Sequence, residues 1–590
     1  MKILKLILLL GICFYSKNLN AQFNFQRSWG TYFGDERFVL TDSEIDSNGN
    51  LYIVGFIYGT DLTNLTAFTN STSYQQNYGG GDYDGFLIKF NNLGQIIWGT
   101  YLGGSGFDKI SDIDIDNNNN IYIIGSTSSN SNIATTGAFQ ENLNGSGDIF
   151  ISKFTSTGSV VWSTYFGGNG NEFNSISRIS FDGQNNLYIS SAASSPNMAT
   201  TGVFQETPNN SASQISKFDL NGNRIWTTYY GLNIPLWNLK ANISGVYVGS
   251  HTLDCPPNWS YNTYFGTLGA YKPLPENCRE IHLTKFNTNG QREWGTYYGG
   301  NLSESMSDKN SIDVKDDKIY FSGGARNYSN EEIATNGTYQ PNNNGFSNFI
   351  VQFNQNGTRN WGTYNGNSTS SSNTFSRSYI KIDRDSNSFY NYGATGMQSN
   401  IATNDGYLTT TNSSYGNDAY ICKFTDQNTK SWGTYYGGEL DEKDIDFHPY
   451  KNNGNNFYIV GSTQSLTQMA TTNGLQQTKL IFDTVNYDQQ NAYNIFIAHF
   501  EPNPLSNESF SDNSIIIYPN PANNFITIKN NGTTSENFNY RIIDVTGRIV
   551  KNGSSKFNEN IYIDSCSNGV YALQIETENG DKLIKKIIKN

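Results

Sequence analysis

Histidine and cysteine are scarce in this 590-residue chain, with four of the first and five of the second. His251, His282, His448 and His499 have no partner at metal-ligand or triad-like spacing, so no nucleophile, base and orienting group are written together. Gly-x-Ser-x-Gly, His-Glu-x-x-His and phosphate-binding loops are absent as well. Charged residues make up only 15% and the net charge is -13, so nucleic-acid phosphates would be repelled, nucleic-acid binding is disfavoured and no nucleic-acid partner is expected. Long apolar runs are missing too. The stretch from Leu6 through Tyr15 falls short of the ~20 residues that cross a bilayer as a helix. Preceded by Lys2 and Lys5 and followed by Asn20-Ala21, it reads as a secretory signal peptide over residues 1–21, and the bulky Ile12 before Cys13 argues against a lipid anchor.

What the chain has is a repeat. Variants of Trp-Gly-Thr-Tyr-x-Gly-Gly begin at Trp29, Trp98, Trp162, Trp226, Trp294, Trp361 and Trp432, separated by 69, 64, 64, 68, 67 and 71 residues. A unit of this length holds about four strands, and radial repetition of four-stranded sheets predicts an all-β, seven-bladed β-propeller over residues 22–500. Between the tryptophans recur an apolar run such as Leu51 to Gly55 or Ile121 to Gly125, and an aromatic-basic strand such as Phe86 to Phe90 or Phe150 to Phe154. Both are apolar on both parities, as expected of a sheet covered on both faces. Asn and Gly at Asn91-Asn92-Leu93-Gly94 and Asp46-Ser47-Asn48-Gly49 mark tight hairpins. No tryptophan strand follows Phe500, whereas the one at Trp29 has no strands before it; the first strand is expected to complete the last blade and remove an open edge.

The stretch from Trp98 through Tyr165, with Gly103-Gly104-Ser105-Gly106-Phe107-Asp108, Ala134-Thr135-Thr136-Gly137-Ala138-Phe139-Gln140 and Gly147-Asp148-Ile149-Phe150, closely resembles the SBBP family of bacterial β-propeller repeats. The resemblance spans roughly residues 26 to 500 and implies a propeller without naming a ligand. It departs in the fourth repeat, where the glycine loop after Trp226 is short and an insertion lies between Cys255 and Cys278, and in the sixth, where Asn365 and Asn367 interrupt the glycines.

After a Pro- and Asn-rich linker at 501–513 the period stops. Alternating segments such as Phe525 to Ile528 and Tyr571 to Ile575 predict a small β-sandwich over 514–590. Its landmarks are Pro519-Asn520-Pro521, Asp544, Gly547 and Arg548, Gly569 and Tyr571, and Lys585-Lys586. In that order at the chain end they resemble the type A sorting domain of the Bacteroidetes type IX secretion system. The resemblance implies that the type IX machinery is a partner and that the protein reaches the cell surface or medium through the periplasm; with no apolar run long enough, the mature chain is expected to have no transmembrane span.

Candidate sites are few. Asp108, Glu172, Glu304 and Glu442 each stand ten residues after a repeat tryptophan and could form an acidic ring. Ca2+ takes about six to eight oxygens, more than one carboxylate per blade supplies, so solvated turn caps are the favoured reading and no cofactor is expected, with Ca2+ the only one left open. Asp112, Asp114 and Asp116, with Asp444 and Asp446, would make the central channel anionic. A Cys255–Cys278 disulfide would staple the insertion in an oxidising compartment, the alternative being two free thiols, while Cys422 reads as a buried small hydrophobe. The aromatics Trp259, Tyr261, Tyr264 and Phe265 make that insertion the expected ligand loop, or else a packing flap. Two functions follow: a surface or released module binding a glycan, matrix polymer or surface protein, which the likeness of the repeats favours, or a secreted polymer-degrading enzyme whose carboxylates converge across blades.

Overall fold

The computed structural model describes residues 25–590 apart from 60–66, 174–175, 209–212, 232–234, 253–263, 277–279, 301–303, 326–332, 344, 369–375, 414–415, 451–455, 481–491, 503–514, 531–536, 545–547 and 578–581. The chain separates into two compact units, Met1–Glu501 and Pro502–Asn590.

In the first unit each hairpin-linked quartet of strands forms one antiparallel sheet. After β1 (Phe25–Phe33), β2 (Phe38–Ile45), β3 (Leu51–Tyr58), β4 (Tyr83–Phe90) and β5 (Ile96–Leu102) pair in chain order. So do β6 (Asp108–Ile115), β7 (Ile121–Thr127), β8 (Asp148–Phe154) and β9 (Val160–Phe166). The next two sheets are β10 (Arg178–Phe181), β11 (Asn186–Ala192), β12 (Ser213–Asp219) and β13 (Arg224–Tyr230), then β14 (Asn238–Asn242), β15 (Gly245–His251), β16 (Ile281–Phe286) and β17 (Arg292–Tyr298). A broken inner edge, β18 (Glu304–Ser305) and β19 (Ile312–Lys315), pairs with β20 (Lys318–Ala325), followed by β21 (Phe346–Asn354) and β22 (Arg359–Ser368). Another sheet holds β23 (Arg377–Ile382), β24 (Ser388–Thr395), β25 (Asp418–Thr425) and β26 (Lys430–Tyr436). The last, of β27 (Glu442–Pro449), β28 (Phe457–Thr463) and β29 (Asn494–Pro502), takes β1 as its outer strand, as the phase of the repeat requires.

The first strands of successive sheets follow one another in the order β2, β6, β10, β14, β19, β23, β27 and back to β2; β23 meets β27 through the Arg377–Asp444 ion pair and the other neighbours pack directly, so the inner strands form a ring. Between sheets the core is aromatic. Trp98 packs with Tyr52 and Ile113, while Tyr101 of the same strand packs with Phe68 and Phe86 on the opposite face. The hairpins close as their composition dictates: Asp46 accepts the backbone N–H of Asn48 and of Asn50, and Asp116 accepts those of Asn118 and Asn120. Asp116 is therefore a turn cap and not a channel group. Cys422 is fully buried, as a small hydrophobe would be.

The second unit stacks two sheets. One orders β30 (Ile515–Tyr518), β31 (Phe525–Asn530) and β34 (Asn560–Tyr562); the other orders β33 (Ile549–Lys556), β32 (Asn537–Asp544), β35 (Gly569–Thr577) and β36 (Lys582–Lys589). Ile526, Phe538, Ile542, Leu573 and Ile587 form its core. Among the described residues of the chain, no helix is long and apolar enough to cross a membrane.

Candidate functional site

The acidic ring is not a set of solvated turn caps. Asp108, Glu172, Glu304 and Glu442 are 0%, 0%, 1% and 0% exposed, so the favoured reading of the sequence is corrected. Each stands beside a second buried acid at the start of a third strand, 24 residues earlier: Asp84, Asp148, Glu280 and Asp418. Both members of a pair press on the first of the two positions that close the tryptophan motif, a glycine in each of these four repeats. A Cβ added to Gly103 would sit 2.3 Å from Asp84 Oδ1 and 3.0 Å from Asp108 Oδ2, and at Gly437 it would lie 2.6 Å from Asp418 Oδ1 with Glu442 Oε2 equally against it. Neighbouring backbone N–H groups anchor one oxygen of several of these acids. Gly104 N–H reaches Asp108 Oδ2 at 2.8 Å, Asn144 N–H reaches Asp148 Oδ2 at 2.9 Å, and Gly438 N–H reaches Glu442 Oε2 at 3.2 Å.

Burial, with the like charge of the partner added, pushes Asp84 and Asp148 up to about 7, and Glu304 up to about 8. Only the second acid of each pair attracts notice in the sequence, because it follows the tryptophan at fixed distance. The first was legible in principle: all four lie two residues before the aromatic or histidine of the third strand, at Phe86, Phe150, His282 and Tyr420.

The channel is charge-compensated, which corrects the expectation of an anionic one. Lys309 Nζ lies 2.7 Å from Asp446 Oδ1 and 3.7 Å from Asp42 Oδ1, Lys381 Nζ 2.9 Å from Glu44 Oε2, and Arg384 Nη2 2.5 Å from Asp313 Oδ1. Asp112 and Asp114 do face the channel, and burial raises both. Asp444 pairs with Arg377. At one mouth a cavity of ≈ 810 Å³ is lined by Glu44, Asp114, Lys240, Asp316 and Lys381.

The fold also supplies a histidine partner that the sequence hides. Ser43 Oγ lies 2.8 Å from His448 Nε2, and Glu44 Oε1 lies 3.4 Å from His448 Nδ1, the outline of a Ser-His-acid triad. The proton runs the wrong way for one. Ser43 Oγ donates to Asp446 Oδ2 at 3.0 Å, so His448 Nε2–H must donate to Ser43, and Nδ1 accepts from Lys381 Nζ at 3.4 Å. Ser43 is 2% exposed beside a space of only ≈ 30 Å³.

Of the expected ligand loop, Trp259, Tyr261, Cys255 and Cys278 lie outside the described residues. Phe265 is buried and stacks on His282 at 4.0 Å, and Tyr264 stacks on Tyr230 at 5.4 Å and donates to Gln205 Oε1 at 2.6 Å. Both are packing groups here. Another group of aromatics reaches the surface: Tyr58, Tyr83, Phe107 and Phe173 form a ladder across three successive sheets, with ring centroids 5.6, 5.3 and 6.1 Å apart and Phe56 behind the first two. Tyr58 is 43% and Phe107 38% exposed. Single aromatics in strand ends and glycine loops give no sequence signal of this, since Tyr58 and Tyr83 stand 25 residues apart and Phe107 and Phe173 come from the two following repeats.

In the second unit the chain-end motifs hold turns and strand ends. Arg548 N–H and Nε–H both reach the Asp544 carboxylate at 3.1 Å across the β32–β33 hairpin. Asn520, between Pro519 and Pro521, donates to Lys586 O at 2.8 Å and accepts from Ile588 N–H at 2.9 Å, and Tyr571 donates to Ser567 O. Gly569 opens β35, Lys585 lies in β36, and Gly547 is outside the described residues.

Residues 516–590 match the secretion system C-terminal sorting domain, and residues 97–131 match the β-propeller repeat family SBBP. The chain joins an SBBP-type propeller domain to a type IX sorting domain. With that sorting domain the protein is secreted or displayed at the cell surface, consistent with type IX export. No curated protein matches it. Among solved structures it is similar to a Pseudomonas brassicacearum lignostilbene dioxygenase, at 10% identity and TM-score 0.34, covering 72% of this chain and 86% of that one. It is also similar to a Lactobacillus gasseri sucrose-6-phosphate hydrolase, at 8% and 0.26, covering 96% and 88%. A third is the Ruminococcus gnavus intramolecular trans-sialidase, at 9% and 0.26, covering 79% and 95%. At these scores the likeness carries no argument about function.

Proposed function

We propose that this protein is an exported seven-bladed propeller that binds an extracellular glycan through the ladder Tyr58, Tyr83, Phe107 and Phe173. Seven blades are supported by the tryptophan count and by β1 completing the sheet of β27 to β29. The ladder carries the binding assignment. Exposed Tyr58 and Phe107 are joined by the half-buried Tyr83 into a contiguous apolar patch of the kind that marks interaction surfaces, and a tyrosine offers an apolar face with a polar tip, the complement of a sugar ring with its C–H face and hydroxyl edge. Exposed Asp82 and Asn171 flank the ladder in sequence and would accept from hydroxyls.

A polymer-degrading enzyme has less support. The channel carboxylates Asp42, Glu44, Asp313 and Asp446 are held by Lys309, Lys381 and Arg384, whereas glycoside hydrolysis needs two carboxyl groups free to reach the sugar.

The test is retardation of the full chain in gels containing individual soluble polysaccharides, beside Tyr58→Ala/Phe107→Ala and a variant lacking residues 255–278. Retardation abolished by the double substitution supports the ladder. Loss only on deleting the insertion would move the site there, and hydrolysis of the polysaccharide would favour the enzyme.

A further inference from the structure

The buried acid pairs are the strongest unexplained feature of the ring, and they are independent of any glycan. Asp84, Asp108 and Asp148 are each 0% exposed, and the Oδ1 atom of each accepts no hydrogen bond among the described residues. No ion pair there reaches any of them. Two buried carboxylates against one glycine repel each other and lose hydration, a cost that a counter-charge must offset if both are ionised.

The molecule shows what it does when it supplies that charge itself. Gln75, Gln140 and Lys272 occupy one structural position: the N–H of each reaches the threonine hydroxyl of its tryptophan strand (Thr100, Thr164 and Thr296), and each carbonyl accepts from the following tyrosine. At the two glutamines the amide oxygen accepts a glycine N–H, from Gly103 and Gly167. Where lysine replaces glutamine, its ammonium lies 3.3 Å from Glu280 Oε1 and 3.1 Å from Glu276 Oε2, placing one positive charge beside the Glu280–Glu304 pair. The position with a cation is thus the position facing the pair.

We propose that the Asp84–Asp108 and Asp148–Glu172 pairs each hold a divalent cation, Ca2+ by their all-oxygen chemistry, doing between blades what Lys272 does for Glu280 and Glu304. Backbone oxygens are at hand for the first: a Cβ on Gly79, whose N–H bonds Asp84, would lie 2.6 Å from Gly103 O and 2.8 Å from Gly104 O. Hard carboxylate and carbonyl oxygens suit Ca2+, and extracellular Ca2+ modules work at millimolar-range affinities available outside the cell.

The experiment is calorimetric titration of Ca2+ into chelator-treated full chain, with Mg2+ as a second probe and thermal unfolding in parallel. At least two Ca2+ should bind per chain and raise Tm. Asp84→Asn should remove one site, and Gln140→Lys should remove another while making that junction indifferent to chelator. The lysine variant guards against misreading a folding defect, because it is expected to keep Tm without metal. No heat of binding, together with the same Tm in Ca2+ and chelator, would overturn the proposal and leave a shared proton as the only counter-charge. Unchanged stoichiometry in both variants would overturn it too, by placing bound Ca2+ elsewhere.

Discussion

The indole N–H of Trp29 donates to the carbonyl of Asn92 at 2.9 Å, joining the strand that completes the last sheet to a hairpin of the first. The bond is one turn of a cycle. Trp98 donates to Ser156 O, Trp162 to Leu220 O, Trp226 to Thr288 O and Trp294 to Gln355 O, each tryptophan reaching the hairpin of the next sheet. The motif that recurs in the sequence is therefore the clasp between neighbouring sheets.

Trp29→Ala should accordingly cost more than an average core truncation. Removal of a buried tryptophan typically costs about 3–5 kcal/mol, and here it also loosens the closure of the ring. Urea unfolding should show a lower midpoint, and light scattering should show association through the loosened strand edge. An unchanged midpoint would mean that β1 is dispensable.

The glycine beneath each indole makes a finer comparison. Gly158 has φ of 88°, and a Cβ there would lie 2.9 Å from the ring of Trp98. Gly137 has φ of 80° with nothing within 4 Å. Gly137→Ala should cost about 1 kcal/mol from backbone strain alone, whereas Gly158→Ala adds a steric clash and should cost at least about twice that by chemical denaturation. Equal losses would show that Trp98 shifts freely.

His282 is buried with neither ring nitrogen hydrogen-bonded among the described residues, at a position where four other repeats carry phenylalanine. Burial, with His251 nearby, lowers it to about 3. Its folded value lies below the unfolded one of about 6.5, so its neutral burial stabilises fully above that pH and the contribution is lost as pH falls towards 3. His282→Phe should raise Tm at neutral pH and flatten the loss of stability between about pH 6.5 and 4. A steeper acid loss in the variant would contradict this.

Lys309 bridges Asp42 and Asp446 in the channel at 7% side-chain exposure. Lys309→Met leaves two buried carboxylates without their cation and should cost about 3–5 kcal/mol. Adding Asp42→Asn and Asp446→Asn to it should recover much of that loss, a coupling that a purely steric role for lysine would not produce.

The repeat, the strand order and the closing role of the first strand were all legible in the sequence. Period and turn chemistry are local: Asp116 with Asn118 and Asn120 closes its hairpin from within five residues. The sorting domain was legible for the same reason, its landmarks holding turns and strand ends. The sites were not. Asp84 and Asp108 each look like ordinary loop acids until the hairpins bring them against Gly103, and Ser43 meets His448 only because β2 and β27 are neighbours across the closure of the ring. Phe265 looked like a contact residue because aromatic content is visible and burial is not. The amino-acid pattern by itself determined which strands form and how they follow one another, since hydrogen-bonded hairpins depend on near neighbours. Which charges meet, and whether water reaches them, was decided only when separate repeats packed side by side.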